Sequence, residues 1–205
     1  MKPDKIVYDC ESQKLFSEIK DRSKIWDLKL STAITYSYRE DFYKFWTVNQ
    51  QTELLEYLNG NIVIGFNSIG FDNPLIMGET HKLDEKGNSS NGKYSWINYD
   101  LLIEIKKKLY AIPDGTAIQE VFNIFRKNFS PADKGVYKLE SIAKATLNHG
   151  KNGDGGNAVE LFKSKKILEL VNYNLQDVRI TKQLYDFIKT YKYCLNGNYD
   201  VIAMD

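Results

Sequence analysis

Along the chain, short apolar runs in the first half give way to longer stretches with helical spacing in the second. Lys5–Tyr8 (KIVY) is a β-branched run suited to a buried strand, and Leu30–Tyr38 (LSTAITYSY) and Phe42–Thr47 (FYKFWT) are strand-like on either side of the charged turn REDF. They predict a three-stranded meander. Gln51–Asn59 has helical spacing and stops at Gly60, a good C-terminal breaker. Asn61–Phe66 (NIVIGF) reads as another buried strand, and Asp72, Asn73 and Pro74 signal a helix from about Pro74. Lys82–Lys93 (KLDEKGNSSNGK) is polar and rich in turn formers, so a surface loop is expected there. YSWINY, Tyr94–Tyr99, gives a fifth strand that leads into a helix from Asp100 to Leu109. Further helices are predicted over Ala117–Arg126, Lys138–Leu147, Ala158–Lys163 and from about Lys166 to Tyr191. No internal repeat is visible. Strands first, with helices interleaved and then dominant, predict an α/β domain with a mixed sheet.

Composition narrows the class without naming a chemistry. With 205 residues, 42% hydrophobic and 27% charged, the chain suits one ordinary globular domain over residues 1–205. No apolar run approaches the roughly 18 residues needed to span a bilayer, and MKPDKIVYD has no apolar signal core, so a cytoplasmic protein with no membrane partner is expected. Cys10 and Cys194 lack metal-type spacing. A net charge of +1 neither argues for nucleic acid nor excludes it; a phosphate-binding surface would have to be a local patch.

The candidate chemistry lies in acidic residues that interrupt apolar patterns. VNYNLQDVRI, Val171–Ile180, belongs to a helix whose apolar stripe includes Leu170, Leu184 and Ile188. Asp177 falls in the middle of that stripe, with Tyr173 one turn earlier on the same face. An ionised carboxylate removed from water without a partner costs several kcal/mol or more. Arg179 and Lys182 are near in sequence but do not share its face, which favours a cation supplied from elsewhere. For Tyr173 alone, a core tyrosine with its hydroxyl at the surface is the usual account.

The first strand ends YDCES, and strand alternation points Asp9 and Glu11 to one face. Such a triplet arises by chance about once per chain. In VIGFNSIGFDNPLI, Asp72 serves either as a helix N-cap or as a metal-facing carboxylate at a strand-to-helix turn, and neither role excludes the other. Asp9, Glu11, Asp72 and Asp177 together cannot sit close and ionised without compensation. Hard oxygen ligands with no convergent His or Cys select Mg²⁺ or Mn²⁺ over Zn²⁺, and two such ions about 4 Å apart clamp an in-line phosphoryl displacement.

YDCE, GFNSIGFDNPLI and YNLQD stand in the order and spacing of the three motifs of the DnaQ-like 3′–5′ exonucleases of the RNase H-like superfamily. The last motif, with Tyr173 four residues before Asp177, resembles the DEDDy branch; Asn172 occupies the position where the DEDDh branch has His. YDLLIEIKKKL, KLESIAKATLNHGKNGDGGNAVELF and YNLQDVRITKQLYDF look like helicase-associated, YprB-like exonuclease domains, and the second motif is also similar to that of family B polymerase proofreading domains. The resemblance covers nearly the whole chain. It implies an RNase H-like fold with a mixed five-stranded sheet flanked by helices. It implies two Mg²⁺ or Mn²⁺ ions on Asp9, Glu11, Asp72 and Asp177. Tyr173 would orient the attacking water, since a phenol with a reference pKa of about 10 is protonated at neutral pH. The implied reaction is release of nucleoside monophosphates from the 3′ end of single-stranded DNA or RNA, with DNA favoured. A helicase or another replication or repair protein is the implied partner.

Four further residues are candidates for substrate contact. Asn67 and Phe71 flank the second motif and suit hydrogen bonding and stacking on a terminal nucleotide, a buried Phe71 being the plainer alternative. Asp100 reads as an N-cap or as a support behind the site. Lys151, in HGKNGDGG, reads as a phosphate contact or as a surface lysine; the segment lacks P-loop spacing, and nothing near His149 makes it a metal ligand. IKKKL, Ile105–Leu109, is most simply a solvated helix face. Two other functions compete: a non-catalytic nucleic-acid-binding or adaptor module on the same fold, and a metal-dependent endonuclease. A binding module has no physical need for four converging acids, which repel phosphate in the absence of metal.

Overall fold

In a computed structural model of the protein, residues 2–133, 135–148 and 155–204 are described. The strands are β1 (Lys5–Ser12), β2 (Leu30–Ser37), β3 (Phe42–Thr47), β4 (Ile62–Gly65), β5 (Lys82–Leu83), β6 (Ser89–Ser90) and β7 (Ser95–Asp100), with a separate hairpin of β8 (Tyr193–Leu195) and β9 (Val201–Ala203). The helices are α1 (Gln51–Leu58), α2 (Asp72–Met77), α3 (Leu101–Leu109), α4 (Ile118–Lys127), α5 (Leu139–Leu147), α6 (Gly155–Lys163) and α7 (Ile167–Tyr191). The main sheet runs β3-β2-β1-β4-β7-β6-β5. Its centre, β1-β4-β7, is parallel, and both flanks are antiparallel.

Alternation along β1 divides the core in two. Ile6, Tyr8 and Cys10 pack with Leu54, Leu58, Leu75 and Trp96 on the α1–α2 face. Val7 packs with Ile34, Ile64, Leu101, Ile142, Val178, Leu184 and Ile188 on the α3–α5–α7 face. The mixed sheet with helices on both faces is the expected α/β architecture, but it has seven strands where five were expected. The difference lies in Lys82–Lys93, which is no plain loop. β5 and β6 pair there and extend the sheet from β7. Strands of two residues carry no readable period. What holds them is a turn in which Asp84 accepts from the Lys86 and Asn88 amides at 2.9 and 2.8 Å, with Gly87 at φ 83°.

A buried polar network locks this extension to the middle of the fold. Tyr8 Oη donates to Asn73 Oδ1, and Asn73 Nδ2 donates to Ser89 Oγ and Asn98 Oδ1, each at 2.9 Å. Trp96 Nε1 also donates to Asn98 Oδ1 at 2.9 Å. Strands β1, β6 and β7 are thereby bonded to α2 through one asparagine. α2 begins at Asp72 rather than near Pro74, and Asp72 is its first residue, not its N-cap. Pro74 fits inside the first turn because amides there have no intrahelical acceptor to lose. β1 continues past the expected Tyr8 to Ser12 because β2 pairs with it that far. No helix among the described residues is long and apolar enough to cross a membrane.

Asn73→Ala is expected to destabilise the protein by about 3 kcal/mol, because it strands the fully buried Tyr8 hydroxyl and the Asn98 amide network. Urea unfolding would measure it, and a loss under about 0.5 kcal/mol would show that the network does not hold the sheet extension.

Candidate metal centre

β4 pairs with β1 only from Lys5 to Val7, so β1 runs on alone beyond Val7 on that side. The crevice left at the carboxyl ends of these parallel strands is where α/β sheets commonly bind ligands. Asp9 and Glu11 stand in that overhang on the α7 side, the parity set by Val7. Asp177, buried in the middle of α7, meets them: one ligand oxygen from each of Asp9, Glu11 and Asp177 lies within 4.8 Å of the others. A cavity of about 350 Å³ opens above them and is lined also by Asp72, Asn67, Phe66, Phe71, Lys14, Leu15, Phe16 and Val159.

Asp72 enters from the opposite wall. It lines the same cavity but stands outside the group of three, and its Oδ1 accepts the Cys10 amide at 2.8 Å in the position a longer β4 would have filled. Burial, then the charges of Asp100 and Asp177, push its carboxyl up to about 8, against the pull of the Cys10 amide. Burial and the neighbouring Asp72 likewise raise the Cys10 thiol well above its ordinary range. The cations near Asp177 in sequence are turned elsewhere, Lys182 onto Asp186 at 2.7 Å and Arg179 over the Tyr43 ring.

The loop between β4 and α2 is shaped by close approach. A Cβ on Gly65 would stand 2.5 Å from Ser68 Cβ, so only glycine lets the chain turn back there. Asn67 adopts φ 62° and faces the cavity. Asp100 anchors this loop from beneath, accepting the Asn67 and Ile69 amides at 2.9 and 3.0 Å while capping α3 through Leu102 and Ile103 at 3.0 and 3.4 Å. Its oxygens are committed to backbone, so it supports Asn67 and does not itself line the cavity. Phe71 does line it, half-buried against the core, with its ring centroid 6.2 Å from that of Phe16.

Tyr173 is buried between α6 and α7 with Ala158, Leu161, Leu170 and Phe162, beside the cavity rather than on its wall. Lys151 and His149 lie outside the described residues. Sequence reasoning missed Asn174. It is fully buried on α7, and its Nδ2 donates to Asp9 Oδ2 at 2.7 Å, fixing the carboxylate's orientation. The available signal was a second polar residue on the face that carries Asp177. The Lys14–Phe16 segment was also missed; it is held by the Leu15 amide on Glu18 and by Glu18 on Lys163 of α6, both at 2.7 Å.

The donors fit a hard divalent cation. They are all carboxylate oxygens and they converge, the donor set that hard divalent cations take. Mn²⁺ at about 100 times its dissociation constant is expected to add about 2.7 kcal/mol of stability, read as a rise in Tm. Asp177→Asn should abolish the rise, and Asn174→Ala should weaken Mn²⁺ by about 10- to 100-fold, the usual cost of losing a ligand's supporting hydrogen bond. The pH dependence follows from Asp72, whose carboxyl is raised in the folded protein. The stability it contributes is complete below its unfolded value near 4 and is lost as pH rises through about 8. Without metal, the wild-type Tm should therefore fall more steeply than that of Asp72→Asn between pH 5 and 8; parallel curves would remove Asp72 as the cause.

No family model matches the chain, and no curated protein matches it as a relative.

Proposed function

We propose that the protein is a metal-dependent 3′–5′ exonuclease of RNase H-like fold that hydrolyses phosphodiester bonds of single-stranded nucleic acid, DNA in preference to RNA. The observation that carries this reading is the meeting of Asp9, Glu11 and Asp177 on the floor of a cavity that Asp72 also faces. Four acids around one open cavity repel a phosphodiester unless cations stand between them. Two divalent ions, Mg²⁺ or Mn²⁺, when bound, supply an acidified water and offset charge on the phosphoryl group.

The chain's own residues divide the remaining work. Asp9, Glu11 and Asp177 hold cation, with Asn174 keeping Asp9 turned toward them. Asp72 adds a ligand from the opposite wall once it gives up its proton. Phe16, Phe66 and Phe71 offer ring surface to a base, and Asn67 an amide to its edge or sugar. A cavity of about 350 Å³ is at the small end for ligand pockets, the scale of a single terminal nucleotide. Tyr173, one turn before Asp177 on α7, would orient the attacking water, a role that requires its buried hydroxyl to turn toward the cavity from beside it.

The test is a time course on 5′-labelled single-stranded DNA and RNA with Mg²⁺, Mn²⁺ or EDTA. A metal-dependent ladder shortening from the 3′ end is expected. Asp9→Ala and Asp177→Ala should each lower the rate by about 10³-fold or more, the scale of losing a main source of charge stabilisation. Tyr173→Phe should cost about 10²-fold or less. Intact oligonucleotides with folded protein under every metal condition would overturn the exonuclease and favour a binding module.

A further inference from the structure

The sheet face that carries the carboxylates continues outward to a second, exposed surface. Directly opposite residues of neighbouring strands share a face, and the register runs Asp9–Ile34–Phe45 and Val7–Tyr36–Tyr43. Val7, Ile34 and Tyr36 are buried beneath α7, which puts Phe45 and Tyr43 on the α7 side of the edge strand β3. Both rings are more than a third exposed. Phe45 stands two strands from Asp9, about 10 Å away. Arg179, exposed and two residues beyond Asp177 on α7, lies with its guanidinium 5.7 Å from the Tyr43 ring centre. Tyr43 is backed in turn by Tyr36 at 4.9 Å between centroids.

The exposed cation of this strip is Arg179, beside the Tyr43 ring. Asp186 is offset by the Lys182 ammonium at 2.7 Å and also accepts the Tyr38 hydroxyl at 2.6 Å, whereas Asp41 accepts the neutral Tyr36 hydroxyl at 2.5 Å and keeps its charge at the β2–β3 turn, so the phosphate contact rests on Arg179. Tyr43 and Phe45, two residues apart on an extended strand, are about 7 Å apart along it, a spacing on which successive splayed bases can stack. Exposed aromatic rings on an edge strand are otherwise a liability for aggregation. We infer that Tyr43, Phe45 and Arg179 form a track for single-stranded nucleic acid, the rings stacking unpaired bases and the guanidinium meeting a backbone phosphate. The track rests on the exonuclease reading for its polarity, with the 3′ end among the carboxylates and the 5′ side of the strand leaving over β3.

The test is fluorescence anisotropy of a labelled 12-nucleotide oligothymidylate in EDTA, so that nothing is cut. Tyr43→Leu/Phe45→Leu keeps apolar surface while removing both stacking rings, and should weaken binding about tenfold or more. Tyr43→Trp/Phe45→Trp should bind at least as tightly as wild type. Arg179→Ala should reduce the slope of log affinity against log salt by about 0.7, the loss of one phosphate contact on a single strand. Affinity within twofold of wild type in the Leu variant, with its Tm preserved, would overturn the track and give the exposed rings to a protein contact. Hydrolysis is read separately with Mn²⁺. Wild-type protein that binds through these residues but cuts nothing overturns the exonuclease and supports the track. Protein that cuts while its Leu variant binds normally overturns the track alone.

Discussion

Gathering carboxylates under a helix costs free energy, because each ionised group makes the next harder to ionise, and much of this fold's local geometry is arranged around that cost. β1 holds Asp9 and Glu11 in a strand whose backbone is fixed by β2, so the two cannot turn away. α7 brings Asp177 down as part of a buried helical face and cannot release it without lifting Val178, Leu184 and Ile188 from the core. Asp72 takes a backbone amide and is driven toward its neutral form by burial and by the acids around it. A divalent cation held there would remove the same repulsion from the opposite direction, so that metal and protons would compete for the site.

How much of this could be read in advance depended on how local each determinant is. Asp9 and Glu11 share a face by strand alternation alone, and Asp177 stands out because one carboxylate breaks an apolar stripe. Those two patterns need no tertiary knowledge, and they supplied the group of three. Asp72 was named as an acid, but its bond to the Cys10 amide depends on where β4 stops pairing with β1, which no local pattern encodes. Asn174 escaped for a related reason: a polar residue on a helix is unremarkable until a strand 165 positions earlier is seen to end beside it. The helix-start reading of Asp72–Pro74 found the element and misplaced its first residue, since Pro is tolerated anywhere in the first turn. Strands β5 and β6 are too short to show alternation; the Asp84 turn joins them, and the Asn73 and Asn98 bonds to Ser89 tie them to the rest of the fold.

The two walls of the crevice are supported differently. One wall, β1 with α7, is apolar packing with a few polar contacts on it. The other is a turn built from hydrogen bonds, with Asp100 holding two loop amides and Asn73 joining α2 to three strands. Packing tolerates small shifts by repacking, whereas an amide network loses its geometry once any member is unpaired. Rigidity of the loop that presents Asn67 and Phe71 therefore depends on residues that never face the cavity.

The bond between Asn174 and Asp9 also has a meaning in time. The chain is made from its N-terminus at about 5–20 residues per second. Asp9 and Glu11 are thus finished on the order of ten seconds before the helix that completes their group. During that interval the nascent chain carries a strand with two acids and no Asp177 to close the set. A protein of the activity proposed would be inert beside its own messenger until α7 had followed β1 out of the ribosome.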